Sequence, residues 1–211
     1  MITIRKATLA ILALGVAAPL SCRAESSLQA GAGSPLTARA HVDLQITIPK
    51  FLFLRVGTGT GTAAPGSGWA GNPAIDLISW APTPAQLGTG ALAGTGGDLT
   101  GGVETAAVVA NHGNVTLSST TSGALGNGAG NTISYATITT TATKLTTATT
   151  LPAPPLASGA TRTVVVAAVK KIVQRDARWT YRYTNATIPP AGTYGGVNVN
   201  NGRVTYTASV P

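Results

Sequence analysis

Few residues in this chain have side chains able to do chemistry, and their spacing joins none of them into a site. There are two histidines, His41 and His112. A metal site takes three or four protein ligands, and neither histidine has a ligand-spaced companion. No Gly-x-Ser-x-Gly elbow is present to hold a serine nucleophile, and few histidines are on hand as its base. The carboxylates Asp43, Asp76, Asp98, Glu104 and Asp176 are scattered along the chain, with no sequence reason to converge as an acid–base pair. Asp98-Leu99-Thr100-Gly101 misses the Asp-Thr-Gly of an aspartic protease by an inserted leucine, and no second triplet exists. Gly57–Gly61 (GTGTG) lacks the Lys-Ser/Thr and the following helix of a phosphate loop, and it reads as a flexible connection. The expectation is a protein that is not an enzyme and has no metal or cofactor.

Contact chemistry is better represented. Lys170, Lys171, Arg175, Arg178 and Arg182 are the densest charge in the chain, relieved only by Asp176. They read as a basic turn for an acidic glycan or a partner protein, or as a solvated turn and edge that deters aggregation. Trp69, in a Gly-rich stretch, reads as an exposed aromatic able to stack on a sugar ring. Trp179, alternating with Tyr181 and Tyr183, reads as core.

The elements that must position these residues begin after a secretory signal. Arg5 and Lys6 precede the apolar run Ala7–Leu20, and Cys22-Arg23-Ala24 offers a small-x-small cleavage site. Residues 1–24 are therefore read as a signal peptide, with Cys22 as an alternative lipidation point. Cleavage after Ala24 leaves 187 residues, no cysteine, and eleven basic against six acidic residues, a net +5. The location is then outside the cytoplasm: periplasm, cell surface or extracellular space. Nucleic acid is not an expected partner, and no membrane span is expected once the signal is removed.

Abundant Gly and Thr and little charge point to β-sheet, since helices call for more Glu, Lys, Gln and Leu. Glu25–Arg39 reads as a flexible lead-in, and residues 40–211 as one β-sandwich domain. Ala40–Gly57 (AHVDLQITIPKFLFLRVG) is the densest apolar stretch. Val42, Leu44, Ile46 and Ile48 have the period of a half-buried strand, and Phe51–Leu54 reads as core on both faces, with a bend at Pro49. Ala74–Trp80 reads as a short strand and Val103–Ser118 as a hairpin about Asn111-His112-Gly113-Asn114. Strands are further expected over Thr132–Leu145, Thr161–Gln174, Ala177–Thr184 and Arg203–Val210, with a tight turn at Asn198–Gly202.

NHGNVTLSSTTSGAL and the ending PAGTYGGVNVNNGRVTYTASVP resemble secreted bacterial Ig-like β-sandwich surface proteins of the fimbrial and adhesin kind. The resemblance covers about the last half of the chain and rests on Gly-Thr-Tyr followed by alternating Val, Thr and Tyr. It implies an all-β, antiparallel Ig-like β-sandwich with long Gly/Thr/Pro-rich loops. Its partners would be other surface or fibre proteins, or glycans. Two features depart from a pilin subunit: Glu25–Arg39 has no donor-like alternation, and Arg203–Val210 reads as a last strand supplied by the chain itself. The expected role is a non-enzymatic structural or adhesive surface protein acting through loops and sheet edges. The alternatives are a carbohydrate-binding module and a subunit of a chaperone-usher type fibre.

Overall fold

The computed structural model describes residues 26–33, 35–58, 63–64 and 68–211. The signal region with Cys22 and most of GTGTG lie outside the described residues. The chain divides into two units, Met1–Ile48 and Pro49–Pro211.

In the first unit no described residue belongs to a strand. Val42, Leu44, Ile46 and Ile48 are 80, 88, 87 and 75 % exposed. This corrects the reading of the alternating half of Ala40–Gly57 as a strand of the chain's own domain. A period of two shows that a segment suits an extended backbone with one apolar face; it does not supply the neighbouring strand.

In the second unit the regular secondary structure is almost all strand, joined by long irregular connections. The strands are β1 (Leu52–Val56), β2 (Ile78–Ser79), β3 (Leu92–Ala93), β4 (Thr95–Gly96), β5 (Val103–Ala110) and β6 (Val115–Thr121). After these come β7 (Leu125–Gly126), β8 (Thr132–Ile133), β9 (Ile138–Thr143), β10 (Thr161–Val166), β11 (Val173–Tyr183) and β12 (Val204–Ser209). In the larger sheet β1 pairs β5 and β5 pairs β11, while β3 and β9 both pair with the end of β11. The second main sheet has the order β10-β6-β12. All these pairings are antiparallel. Two-stranded pieces β2-β4 and β7-β8 are also present, and no barrel closes among the described residues.

The two main sheets share one core. Ala106, Val108 and Ala110 of β5 and Val173, Ala177, Trp179 and Tyr181 of β11 meet Val115 and Leu117 of β6 and Val166 of β10. Trp179 is fully buried, as its alternation with the tyrosines led one to expect. Its Nε1 donates to the Leu151 carbonyl at 3.0 Å, which satisfies the one polar atom its burial would otherwise strand. The Tyr206 ring lies 5.3 Å from it, and the Tyr206 hydroxyl meets that of Tyr181 at 2.8 Å.

Several local readings are corrected. Asn111–Asn114 is not the turn of a hairpin, because β5 has β1 on one edge and β11 on the other and has no edge left for β6. The turn instead carries the chain from one sheet to the other. Phe51 and Leu52 are exposed, and only Leu54 and Val56 of β1 pack on the core, so the Phe51–Leu54 run lies on an edge strand rather than inside the sheet. The break expected near Arg175-Asp176 falls earlier, at Lys170 (φ 51°) and Lys171 (φ 67°), between the bridged pair Val169 and Ile172. The strand β11 then runs unbroken through Asp176. Thr132–Leu145 is interrupted by a single turn at Tyr135–Thr137, whose Ser134 cap accepts from Ala136 N. Within Ala74–Trp80, strand pairing is confined to Ile78 and Ser79. The final strand, by contrast, forms as read, opposite β6.

Candidate functional site

Four features could serve function. The first is the outer edge of β12. This strand pairs β6 on one side and no strand on the other among the described residues. Val204, Tyr206, Ala208 and Val210 point to the core but are only half-buried. Across the gap between the sheets, β1 lies against β12 and presents Leu54 and Val56, also half-buried. An unpaired row of backbone groups beside half-buried apolar side chains is a surface suited to contact.

The second is an aromatic stack on β1. Trp69 lies 5.4 Å from the Phe51 ring and 6.2 Å from Phe53, at interplanar angles of 22° and 27°. It is 37 % exposed. Beside it a cleft of about 330 Å³ runs between Leu52–Val56 and Ala70–Ala74. The expected exposed aromatic is therefore present, with part of its surface spent on two phenylalanines that had been assigned to the core.

The third is a carboxylate group that no spacing in the sequence betrays. Thr58 donates to Asp76 from both its backbone N–H and its hydroxyl. Asp98 accepts from Thr105 N at 2.8 Å and from the Thr105 hydroxyl. Glu104, buried, accepts from Asp98 N at 3.3 Å. Burial first, and then the charge of Asp76, push the Glu104 carboxyl up to about 8. Gly57 (φ 80°) makes this approach possible, because a Cβ there would lie 2.5 Å from Asp76 Oδ2 and 2.7 Å from Glu104 Oε2. Glu104 is thus a proton-holding carboxyl that ties the turn after β1 and the loop before β5 to the sheet. No group of three or more His, Cys, Asp or Glu arranged to hold a metal is found among the described residues.

The fourth is the basic run, which the fold disperses. Lys170 and Lys171 are exposed in the tight turn. Arg175 is half-buried, donates to the Gln174 carbonyl at 3.2 Å and borders a depression of about 450 Å³ with Val169 and Ile172. Arg178 and Arg182 are exposed farther along β11, and Arg178 reaches the Lys144 carbonyl at 3.5 Å. Arg175 and Arg178 lie an odd number of residues apart and so point to opposite faces of the strand.

Asp176, read only as a break in that run, is fully buried. Its carboxylate accepts from Thr146 N at 2.9 Å, Thr147 N at 2.8 Å, Ala63 N at 3.2 Å and both threonine hydroxyls. Burial alone would raise its pKa. The hydrogen bonds from Thr146 and Thr147 outweigh that and hold it at about 2. Three parts of the chain are pinned by this one group, and its only sequence signal is an acid inside a strand pattern beside a Thr-rich loop.

Of the two histidines, His41 lies in the exposed first unit, and His112 Nε2 meets Lys50 Nζ at 2.8 Å. No helix among the described residues is long and apolar enough to cross a membrane. The chain matches no protein-family model, no curated protein and no solved structure.

Proposed function

We propose that the chain is a non-enzymatic, exported structural or adhesive surface protein, an Ig-like β-sandwich that works through its loops and sheet edges. The observation that carries this reading is the set of open edges. Among the described residues β1, β9, β10 and β12 each have a strand on one side only, while the interior is tied by buried polar groups such as Asp176. A rigid body with free edges supports contact, and the chemistry-bearing side chains serve the fold. The Ig-like assignment is supported by the facing antiparallel sheets, the crossing at Asn111–Asn114 and the buried Trp179. Export is supported by Arg5, Lys6 and the apolar run to Leu20.

Fractionation of the producing cells, with protease treatment of intact cells, tests the reading. The protein is expected in the exported fraction and to be cut from outside; retention in the cytoplasm would overturn it. A second reading, a carbohydrate-binding module, is favoured by the part-exposed Trp69, next in sequence to Ala70 of the cleft wall. Glycan binding that disappears in Trp69→Ala is its expected outcome, and no binding at millimolar glycan rejects it.

A further inference from the structure

The turn Asn111–Asn114 draws two distant parts of the chain to one end of the main sheets. Asn111 Nδ2 donates to the Pro49 carbonyl at 2.8 Å, and Asn111 Oδ1 accepts from Phe51 N at 3.0 Å. Asn114 Oδ1 accepts from Ala168 N at 2.9 Å, and Gly113 N donates to the Lys171 carbonyl, also at 2.9 Å. Lys50 Nζ donates to His112 Nε2 at 2.8 Å. Lys50, Lys170 and Lys171 thereby stand at one end, and all three are exposed. Among the described residues of the second unit, no aspartate or glutamate offsets them there. Asp176 is fully buried and taken up by Thr146 and Thr147, while Asp76, Asp98 and Glu104 lie at the opposite end of β5.

The turn that carries two of these lysines is not made of the residues its backbone calls for. Val169 N donates to the Ile172 carbonyl at 2.9 Å, and Ile172 N to the Val169 carbonyl at 3.0 Å, which leaves Lys170 and Lys171 as a two-residue loop. Both hold positive φ, 51° and 67°, a conformation that Asn-Gly enters without the steric cost a lysine meets. Two lysines there add charge rather than fit. The bonded pair that flanks them points to one face, and both members are apolar and open. Val169 is 63 % exposed and Ile172 52 %. Arg175 borders the same depression as this pair.

We propose that this end is a peripheral contact for an anionic lipid surface, with Val169 and Ile172 entering the headgroup layer while Lys50, Lys170, Lys171 and Arg175 meet lipid phosphates. The apolar pair selects lipid over a soluble polyanion. A polyanion in water satisfies the cations but gives Val169 and Ile172 nothing to cover them. The headgroup boundary offers phosphate and acyl chain side by side. Each basic side chain near such a surface adds to the attraction, and the sum is screened as salt rises. Arg178 and Arg182, farther along β11, take no part. The inference rests on the reading of the chain as a contact-forming surface protein, and it names the surface contacted.

Flotation with vesicles tests this on the chain as exported, without the apolar run Ala7–Leu20 that would itself enter lipid. Binding is expected to phosphatidylcholine vesicles holding about 30 % phosphatidylglycerol, to fall as salt rises, and to be absent with phosphatidylcholine alone. Lys170→Asn with Lys171→Gly suits the turn better, so it should keep or raise the thermal midpoint while weakening vesicle binding about thirtyfold. Val169→Thr with Ile172→Thr keeps every charge and should weaken binding about fivefold. Leu44→Asp with Ile46→Asp, in the other exposed apolar stretch, should leave it unchanged. Equal binding to both kinds of vesicle, full binding by the Lys170→Asn/Lys171→Gly variant, or loss in the Leu44→Asp/Ile46→Asp variant would each overturn the proposal. So would binding of dextran sulfate together with vesicle binding indifferent to Val169→Thr/Ile172→Thr, because the occupant would then be a soluble polyanion. Cell fractionation is scored separately, so an exported protein that binds neither kind of vesicle rejects this inference and leaves the proposed role standing.

Discussion

Two stretches of this chain are written alike and end differently. Val42–Ile48 and Val204–Val210 each place four apolar residues at alternate positions with polar residues between them. The second contains β12, six residues in register with β6 from Val204 opposite Thr121 to Ser209 opposite Thr116. The first lies in no sheet, with its apolar side chains in water. What separates them is partners. Tyr206 of β12 has a hydroxyl neighbour in Tyr181 and a ring neighbour in Trp179, whereas the N-terminal stretch ends at Pro49, which has no N–H to offer a ladder. Alternation thus measures fitness to be a strand, and the available edge decides whether one forms.

The comparison can be broken hardest at the packing under β12. Trp179→Ala should cost about 3–5 kcal/mol, because a fully buried indole is lost and the Leu151 carbonyl loses its donor. Denaturant titration reads this, and a loss under about 1 kcal/mol would show that β12 does not depend on the core beneath it.

A smaller effect is expected from the carboxyl that ties down the turn after β1. Glu104 has its folded-state pKa raised to about 8 from an ordinary 4.5. Its contribution is therefore full below about pH 4.5, declines as pH rises, and is gone above about 8. Wild type should lose stability between pH 5 and 8, and Glu104→Gln should flatten that slope. Asp176 works with the opposite sign. Its pKa is depressed to about 2, so its contribution is present above the ordinary value of 3.8 and fades as pH falls toward 2. An unchanged slope in Glu104→Gln would remove the carboxyl as the cause.

Tyr206→Phe sharpens the comparison at the hydroxyl pair and should cost about 1 kcal/mol, read as a shift in denaturation midpoint with an unchanged slope. The smallest effect belongs to the N-terminal stretch. Leu44→Asp alone should change the stability of dilute protein by no more than about 0.5 kcal/mol, since the leucine is already in water. A loss comparable to that of Trp179→Ala would mean that the two stretches are equals after all.

Much of the strand content was legible, and for a plain reason. Trp179, Tyr181 and Tyr183 occupy alternate positions with Arg178 and Arg182 between them, and a pattern so regular has one reading. The turn at Asn198–Gly202 was equally open, since Asn198, Asn200 and Asn201 all adopt the positive φ that asparagine tolerates. What was hidden depended on contacts between residues distant in sequence. Asp176 looked like an interruption because the threonines that satisfy it lie about thirty residues earlier in the chain. Asp76, Asp98 and Glu104 looked scattered because Asp76 meets Glu104 only once the chain has folded. The hairpin expected at Asn111–Asn114 failed because both edges of β5 are taken by strands far away in the sequence.

By itself, the sequence determined the strand-forming character of the chain, the basic and apolar pattern at its start, the burial of Trp179 and the apolar face of Val42–Ile48. These follow from side-chain type and period, which are local properties. Only the tertiary structure decided which edges are filled, where a buried charge finds its donors, and that Val42–Ile48 has no strand beside it among the described residues. Those are matters of pairing, and pairing depends on residues far apart in the sequence.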